Sequence, residues 1–365
     1  MTIPAALSTV STALYHRVMR ELLNILDAAA ALESSGESFA LATVVATSGS
    51  TYRSPGAHQL VTAGSSVGTV SGGCLDSQVR ATAAEVMASG VPRLETYDLT
   101  KDDDLVWGWG LGCSGITEVL FEPASSAIAL TSAMRSAIAK ETDVAIVTLL
   151  EGELGSRMMI SSGSTTGSLG HLDEAATAAI GAGITGPADL NGTRAFVEVV
   201  APPNRLVVVG ANNDARPLVE VAASLGWNTV VVDPRPRLLT TERFPQAQLL
   251  VTAEPAELTD VLAVDGRTFV MLMNHNFLRD GDALVSLIGS ETAYLGLLGP
   301  AERAIQLLKY AAEQGAHVSA ADQAKLHGPA GLDIGADGPL EIAWSIMAEM
   351  LAVDRGRHGG SLRDR

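Results

Sequence analysis

The sequence predicts a two-domain α/β protein, a mixed α/β domain followed by a domain built on a parallel sheet. Three observations carry that prediction. The chain has 365 residues, more than the ~250–300 at which a single hydrophobic core stops growing. Before residue 200, short apolar strands are joined by glycine-rich loops in hairpin fashion. From Arg205 onward the apolar runs LVVVG, TVVVD, TFVMLM and AYLGLLG alternate with helical segments, the pattern of a parallel sheet covered by helices on both faces.

In chain order, residues 13–32 carry apolar side chains at helical spacing. FALATVVAT at 39–47 reads as a buried strand. After the loop SGSTYRSPG, the strands HQLVT and VGTVS form a hairpin. A helix runs from Leu75 to about Ser89, a strand spans Leu94–Leu99, and DDDLVWGWGLGCSG loops into the strand ITEVLFEP. Residues 126–140 read as a helix and 143–150 with 154–161 as a hairpin. SSGSTTGSLG reads as a flexible loop and RAFVEVV as a strand. APPN at 201–204 is the linker, and no internal repeat is legible. A final helix follows a loop beginning HGPAGLDIGADG. The charged, glycine-rich tail DRGRHGGSLRDR is expected to be disordered.

Bulk properties exclude several functions. A net charge of −17 repels phosphate backbones and anionic membranes, so nucleic acid and membranes are not expected partners. Two cysteines, Cys74 and Cys113, cannot build a disulfide framework or a four-thiolate zinc site. No signal peptide or run of 18 apolar residues is legible, which points to the cytoplasm.

The strand–turn–helix LVVVG-ANNDARPL, with Asp233 ending the next strand, predicts a Rossmann-like domain. Asp233 stands where a carboxylate accepts hydrogen bonds from a ribose diol. The glycine fingerprint is degraded to Gly210-Ala211-Asn212-Asn213-Asp214-Ala215, and Asp214 brings negative charge to the expected phosphate position. Arg235 and Arg237 are placed to offset Asp233 and favour a phosphorylated ligand. His275, between Asn274 and Asn276, follows a parallel strand at the edge where open α/β sheets bind ligands.

In the first domain, Cys74 precedes a helix whose free amides favour thiolate. Cys113 lies among glycines that admit close approach to its sulfur. Two thiolates suit a soft metal centre, with Cys113 and Cys74 as its candidate contacts, but cannot cage a bare ion. Arg53 is a candidate anion clamp.

The ordered series GSTYRSPGA, VGTVSGGCLD, GWGLGCSGITEVLFEP, LVVVGANNDARPLV, VVDPRPR, MNHNFLRD, YLGLLGP and HGPAGLDIGADGPLEIAWSIMAEM resembles the XdhC/CoxI family across residues 15 to 352. The resemblance implies an accessory protein for maturation of a molybdenum hydroxylase of the xanthine or carbon monoxide dehydrogenase type. It implies binding of molybdenum cofactor (molybdopterin), help with its sulfuration and insertion, and a chaperone's role without turnover. The implied partners are the hydroxylase apoenzyme and a cysteine desulfurase, and the implied assembly is a homodimer. The expected ligand set is Arg53, Cys74, Cys113, Gly210, Asn212, Asn213, Asp233, Arg235 and His275. The implied division is an XdhC/CoxI-type domain at 12–200 and a Rossmann-like domain at 204–325. A loop and helix at 326–352 would pack back on the first domain, before a tail at 353–365. The chain departs from the family pattern at Tyr52, Ser114, Asn213, Pro234 and Gly338.

Two other readings stand beside this one. An NAD(P)-dependent oxidoreductase would use the Rossmann-like domain with His275 as proton donor, although no lysine lies between Lys140 and Lys309. A scaffold would only dock partners.

Overall fold

The computed structural model describes residues 19–100 and 114–364. Cys113 and the helix start at residues 13–18 lie outside the described residues. The chain divides at Pro202–Pro203 into two compact units.

The first unit opens with helix α1 (Met19–Ser35), strands β1 (Ala40–Ser50), β2 (His58–Val61) and β3 (Ser66–Gly68), helix α2 (Asp76–Ser89), and strands β4 (Arg93–Asp98) and β5 (Ser114–Pro123). It continues with α3 (Ala124–Ala139), β6 (Val144–Leu149), β7 (Arg157–Ser161), β8 (Ser164–Thr166), α4 (Asp173–Gly181), β9 (Gly186–Leu190) and β10 (Thr193–Val200). The strands form two five-stranded sheets, ordered β3-β2-β1-β5-β4 and β8-β7-β6-β10-β9, with every pairing antiparallel.

The two sheets are copies of one motif, a helix, three strands, a helix and two strands. The correspondence reaches single residues. Thr43 pairs with His58 in the first copy and Thr148 with Arg157 in the second. Leu41 pairs with Glu122, and Ile146 with Glu198. A Cβ on Gly68 would strike the carbonyl of His58, and one on Gly167 the carbonyl of Arg157. The sequence shows no repeat because core positions accept many apolar residues, while the surfaces of the two copies face different surroundings.

Apolar side chains account for the layering. Leu22, Ile25 and Leu26 of α1 pack with Ala127, Leu130 and Met134 of α3 against Leu41, Leu60, Val144 and Ile146 from both sheets. Val79, Ala83 and Val86 of α2 cover the opposite face of the first sheet. Ala176 and Ile180 of α4 do the same for the second. Each fully buried Val, Leu, Ile or Met among them contributes about 1.5–3 kcal/mol. The segment read as a flexible loop, SSGSTTGSLG, contains β8, paired with β7 across a short turn. Its polar composition masked an edge strand whose side chains are all exposed.

The second unit is a six-stranded parallel sheet of β11 (Arg205–Val209), β12 (Asn228–Val232), β13 (Leu249–Val251), β14 (Thr268–Leu272), β15 (Tyr294–Leu297) and β16 (Leu326–His327). Its order is β13-β12-β11-β14-β15-β16, the Rossmann arrangement, which reverses direction between β11 and β14. Helices α5 (Ala215–Ser224) and α10 (Pro339–Asp354) cover one face. Helices α6 (Leu258–Val261), α7 (Phe277–Leu287) and α8 (Ala301–Glu313) cover the other. The short α9 (Ala320–Lys325) leads into β16.

The last helix corrects one expectation. The buried face of α10, with Ala343, Ile346, Met347 and Met350, belongs to the core of the second unit with Leu218 and Ala222 of α5. Glu349 on α10 ties it there. It accepts hydrogen bonds from the Tyr294 hydroxyl at 2.6 Å and the Gly331 amide at 2.8 Å, and pairs with His327 at 3.2 Å. Burial and this carboxylate push the Tyr294 hydroxyl well above the ordinary phenol range.

Candidate functional site

Comparing the two copies in the first unit isolates three loops. Between the matched residues Val44 and Gly56 the first copy spends residues 45–55, and between Leu149 and Gly155 the second spends 150–154. From β3 to α2 the chain uses residues 69–75, and from β8 to α4 residues 167–172. The connection from β4 to β5 covers 99–113, where β9 turns into β10 through 191–192. The extra length in the first copy lies in the connections that hold Arg53 and Cys113, while the connection that holds Cys74 is one residue longer than its counterpart. The second copy folds with the two long connections cut short, so their length serves something other than the fold of the motif.

The register puts all three loops at one end of the first sheet. Ser50, ending β1, pairs with Ser114, beginning β5. β2 begins and β3 ends at that same end, where Gln59 faces Gly68. A Cβ on Gly115 would lie 2.6 Å from the Ser48 carbonyl and 2.7 Å from the Thr51 methyl group, so only glycine lets the Arg53 loop cross here. Gly115 stands two residues after Cys113, which itself lies outside the described residues.

The loop that bears Arg53 and the loop that leads to Cys74 meet through Glu21 and Tyr52. Arg53 donates to Glu21 of α1 at 2.5 Å, and the other oxygen of Glu21 accepts the Thr69 amide at 2.9 Å. The Tyr52 ring lies over Gly72, two residues before Cys74, and is 61% exposed. Cys74 is half-buried against the core under α2. Glu21 was missed from sequence because nothing local links a helix residue to a loop 32 positions away.

Below this end of the sheet lie two buried carboxylate pairs, one with a histidine and one with an arginine, that sequence reading also missed. His58 Nε2 meets Glu198 at 2.8 Å, and its Nδ1 meets the Thr43 hydroxyl at 3.0 Å. Arg157 donates to Glu122. Burial pushes the Glu122 carboxyl up, against the pull of the Arg157 charge and hydrogen bond.

In the second unit the switch point between β11 and β14 gathers the other predicted residues. Gly210 has φ +117°, and a Cβ there would meet the Met273 carbonyl at 2.6 Å. Asn212 donates to the carbonyls of Met273 and Asn274 at 3.2 Å, closing the turn onto β14. Asn213 accepts from Arg243 at 3.2 Å. Asp233 is fully buried. It accepts the Ala211 amide at 2.8 Å and both Nε and NH2 of Arg235 at 2.8 Å. Burial alone would raise its carboxyl, but the bonds from Arg235 and Ala211 hold it below the usual range. Asp233 therefore works as a lock on the first turn, with its oxygens already engaged.

His275 adopts φ +54°, a strained conformation for a side-chain-bearing residue that costs on the order of 1 kcal/mol. Its Nε2 meets Asp214 at 2.5 Å, so the carboxylate read as a repulsive charge is paired. Asn276 caps α7, accepting the Arg279 amide at 3.1 Å. Asp280 accepts from Asn274 at 2.9 Å and from Arg303 at 2.7 Å. Buried polar atoms without a protein partner cluster in this crevice: Asp214 Oδ1, Asn274 Oδ1 and Arg243 Nε. Such groups cost free energy unless something satisfies them, which marks the crevice as a ligand or water site. The polar periphery of Arg243 and Asp280 was not legible, because both act across distances no local pattern encodes.

Among the described residues, no group of three or more metal-ligating side chains occurs, and no helix is long and apolar enough to cross a membrane.

The XdhC Rossmann domain matches residues 206–350, and the XdhC and CoxI family model matches residues 32–98. A Bacillus subtilis (strain 168) protein, by name a probable subunit of xanthine dehydrogenase, is 30% identical over 338 residues, 88% of this chain and 94% of that protein. The Escherichia coli (strain K12) protein YqeB is 35% identical over 166 residues, 45% of this chain and 30% of its own length. The crystal structure of a xanthine dehydrogenase from Bacillus halodurans superposes with a TM-score of 0.78 at 30% identity, covering 91% of this chain and 96% of that one. The two family models and the full-length relatives span both units, and the chain belongs to the XdhC and CoxI family.

Proposed function

We propose that this chain serves the maturation of a molybdenum hydroxylase of the xanthine dehydrogenase type, holding molybdenum cofactor for sulfuration and delivery to the apoenzyme. The observation that carries the reading is the convergence of the Arg53 and Cys74 loops, with the strand that follows Cys113, at one end of the first sheet. The residues fit such a group. A half-buried thiol follows Gly73, whose free side is open, with the Tyr52 ring seated over Gly72 before it, and thiolates suit a soft metal centre. The exposed Tyr52 ring offers a face to a planar heterocycle. The bound cofactor would supply the molybdenum–sulfur chemistry. The protein's own part is to bind, orient and shield. The apoenzyme and a cysteine desulfurase are the partners this role requires.

The test is incubation of purified protein with released cofactor, followed by quantification of co-eluting molybdenum. Stoichiometric retention that drops in Cys74→Ala and Cys113→Ala is the expected result. Retention indifferent to both changes removes the thiolate role, and no retention overturns the reading.

A nicotinamide dinucleotide on the second unit is a second reading, favoured by the strand order and the unsatisfied polar atoms of the crevice. The engagement of Asp233 by Arg235 and Ala211 weighs against it, since a ribose diol would have to displace them. Calorimetry with NADH and NADPH decides, with micromolar binding favouring the dinucleotide.

A further inference from the structure

The duplicated motif exchanges buried polar pairs between its copies. Glu122 on β5 of the first copy pairs with Arg157 on β7 of the second. Glu198 on β10 of the second copy pairs with His58 on β2 of the first. β5 matches β10, and β2 matches β7, so each copy lends a carboxylate to a side-chain nitrogen of the other at the same place. All four side chains are at least nine-tenths buried. Buried polar and charged groups are tolerated only with a partner, so each pair is a latch between the copies.

The two latches carry different loads. In the second copy Arg157 closes the short 150–154 hairpin. In the first, His58 closes the 45–55 loop that bears Arg53. Gly56, two residues before His58, lies beside Thr185 and the Glu198 carboxylate, with Cβ distances of 3.1 and 3.7 Å. The far foot of that loop therefore rests on the second copy, while Arg53 itself reaches Glu21 and, through it, Thr69.

We propose that His58, held by Glu198, is the positioning residue of the Arg53–Cys74 loops. The second copy thus acts as the mount that sets the ligand-binding end of the first. Facing His58 are Thr43 on β1, Glu198 on β10 and, at longer range, Glu122 on β5 with its partner Arg157 on β7. The ligand part of the proposal rests on the cofactor-binding reading above, and the loop part does not.

The experiment follows tryptic cleavage between Arg53 and Ser54 by mass spectrometry on the full chain, alongside molybdenum retention. Glu198→Gln keeps the size of the side chain and removes its charge. It should speed the cut at Arg53 by about tenfold, the worth of a weakened charged hydrogen bond at a locally opening loop, and lower retention. His58→Arg copies the residue of the other latch and should keep both readouts within about twofold of wild type. Arg157→Gln loosens the second latch. It should lower the overall unfolding midpoint while leaving the Arg53 cut rate near wild type at temperatures well below that midpoint. Unchanged protection in Glu198→Gln overturns the proposal. So does acceleration in Arg157→Gln equal to that in Glu198→Gln, because the effect would then be general loosening. If wild type retains no molybdenum, the cofactor reading fails and the proteolysis still decides the role of His58.

Discussion

Arg157→Met tests the latch logic most directly. Glu122 is 1% exposed, and Arg157 is the cation that offsets its burial. Removing one partner of a buried pair leaves an uncompensated charge, which costs about 3–5 kcal/mol. The folded variant can reduce that cost only by protonating Glu122. Burial already raises this carboxyl above its ordinary value of 4.5, and losing Arg157 raises it further. A carboxyl raised in the folded state binds more protons folded than unfolded. Stability is therefore highest at low pH and falls as pH rises from 4.5, by about 1.4 kcal/mol per pH unit until the folded value is passed. Glu122→Met/Arg157→Met removes both charges and fills the space with apolar atoms, so it should recover most of the loss. The assay is urea unfolding followed by circular dichroism at pH 5, 6.5 and 8. Hydrogen exchange of peptides from β5 and β7 would localise the change. A single variant that loses less than ~1 kcal/mol with no pH slope, or a double variant no better than the single, refutes the reasoning.

Gly210→Ala should destabilise the second unit by about 2–4 kcal/mol, because a Cβ at φ +117° would lie 2.6 Å from the Met273 carbonyl. Gly266→Ala, with nothing within 4 Å of its Cβ, should stay within about 0.5 kcal/mol of wild type; fluorescence of the buried Trp227 reports both. The second unit should also lose stability in acid. Arg235 and the Ala211 amide hold Asp233 down against burial. The Ser319 hydroxyl leads the groups that depress Asp322. His327 and Tyr294 depress Glu349 despite its burial. Depressed carboxyls stabilise fully above their unfolded values and lose that contribution as pH falls through the folded ones. An acid titration of Trp227 fluorescence should therefore show the midpoint urea concentration falling below pH ~4, with a smaller fall in Asp233→Asn; a flat or rising midpoint contradicts this.

Much of the fold was legible. The alternating apolar runs after Arg205 became β11, β12, β14 and β15, because buried parallel strands need continuous apolar sequence. Strands β13 and β16 were not read, since three- and two-residue strands carry too little pattern. The helix α4 and strand β9 were passed over for a related reason, their short length and mixed composition between glycine-rich turns. At the candidate sites, Arg53, Cys74, Gly210, Asn212, Asp233, Arg235 and His275 stood out by residue type and local setting. Their partners Glu21, Glu198, Arg243 and Asp280 did not, and the pairing of Asp214 with His275 did not either, because an ordinary acidic or basic residue gains its role only from what folding puts beside it.

By itself the sequence determined the longer elements, the two-part division and the family, since each rests on short-range periodicity or on an ordered run of motifs. Only the tertiary structure decided that the first unit is one motif used twice, that the loops bearing Arg53, Cys74 and Cys113 leave the same sheet end, and that Asp233 is occupied by Arg235. Strand order and charge pairing are long-range properties. They depend on which surfaces meet, and the cost of leaving a buried charge alone selects the meeting that local pattern cannot announce.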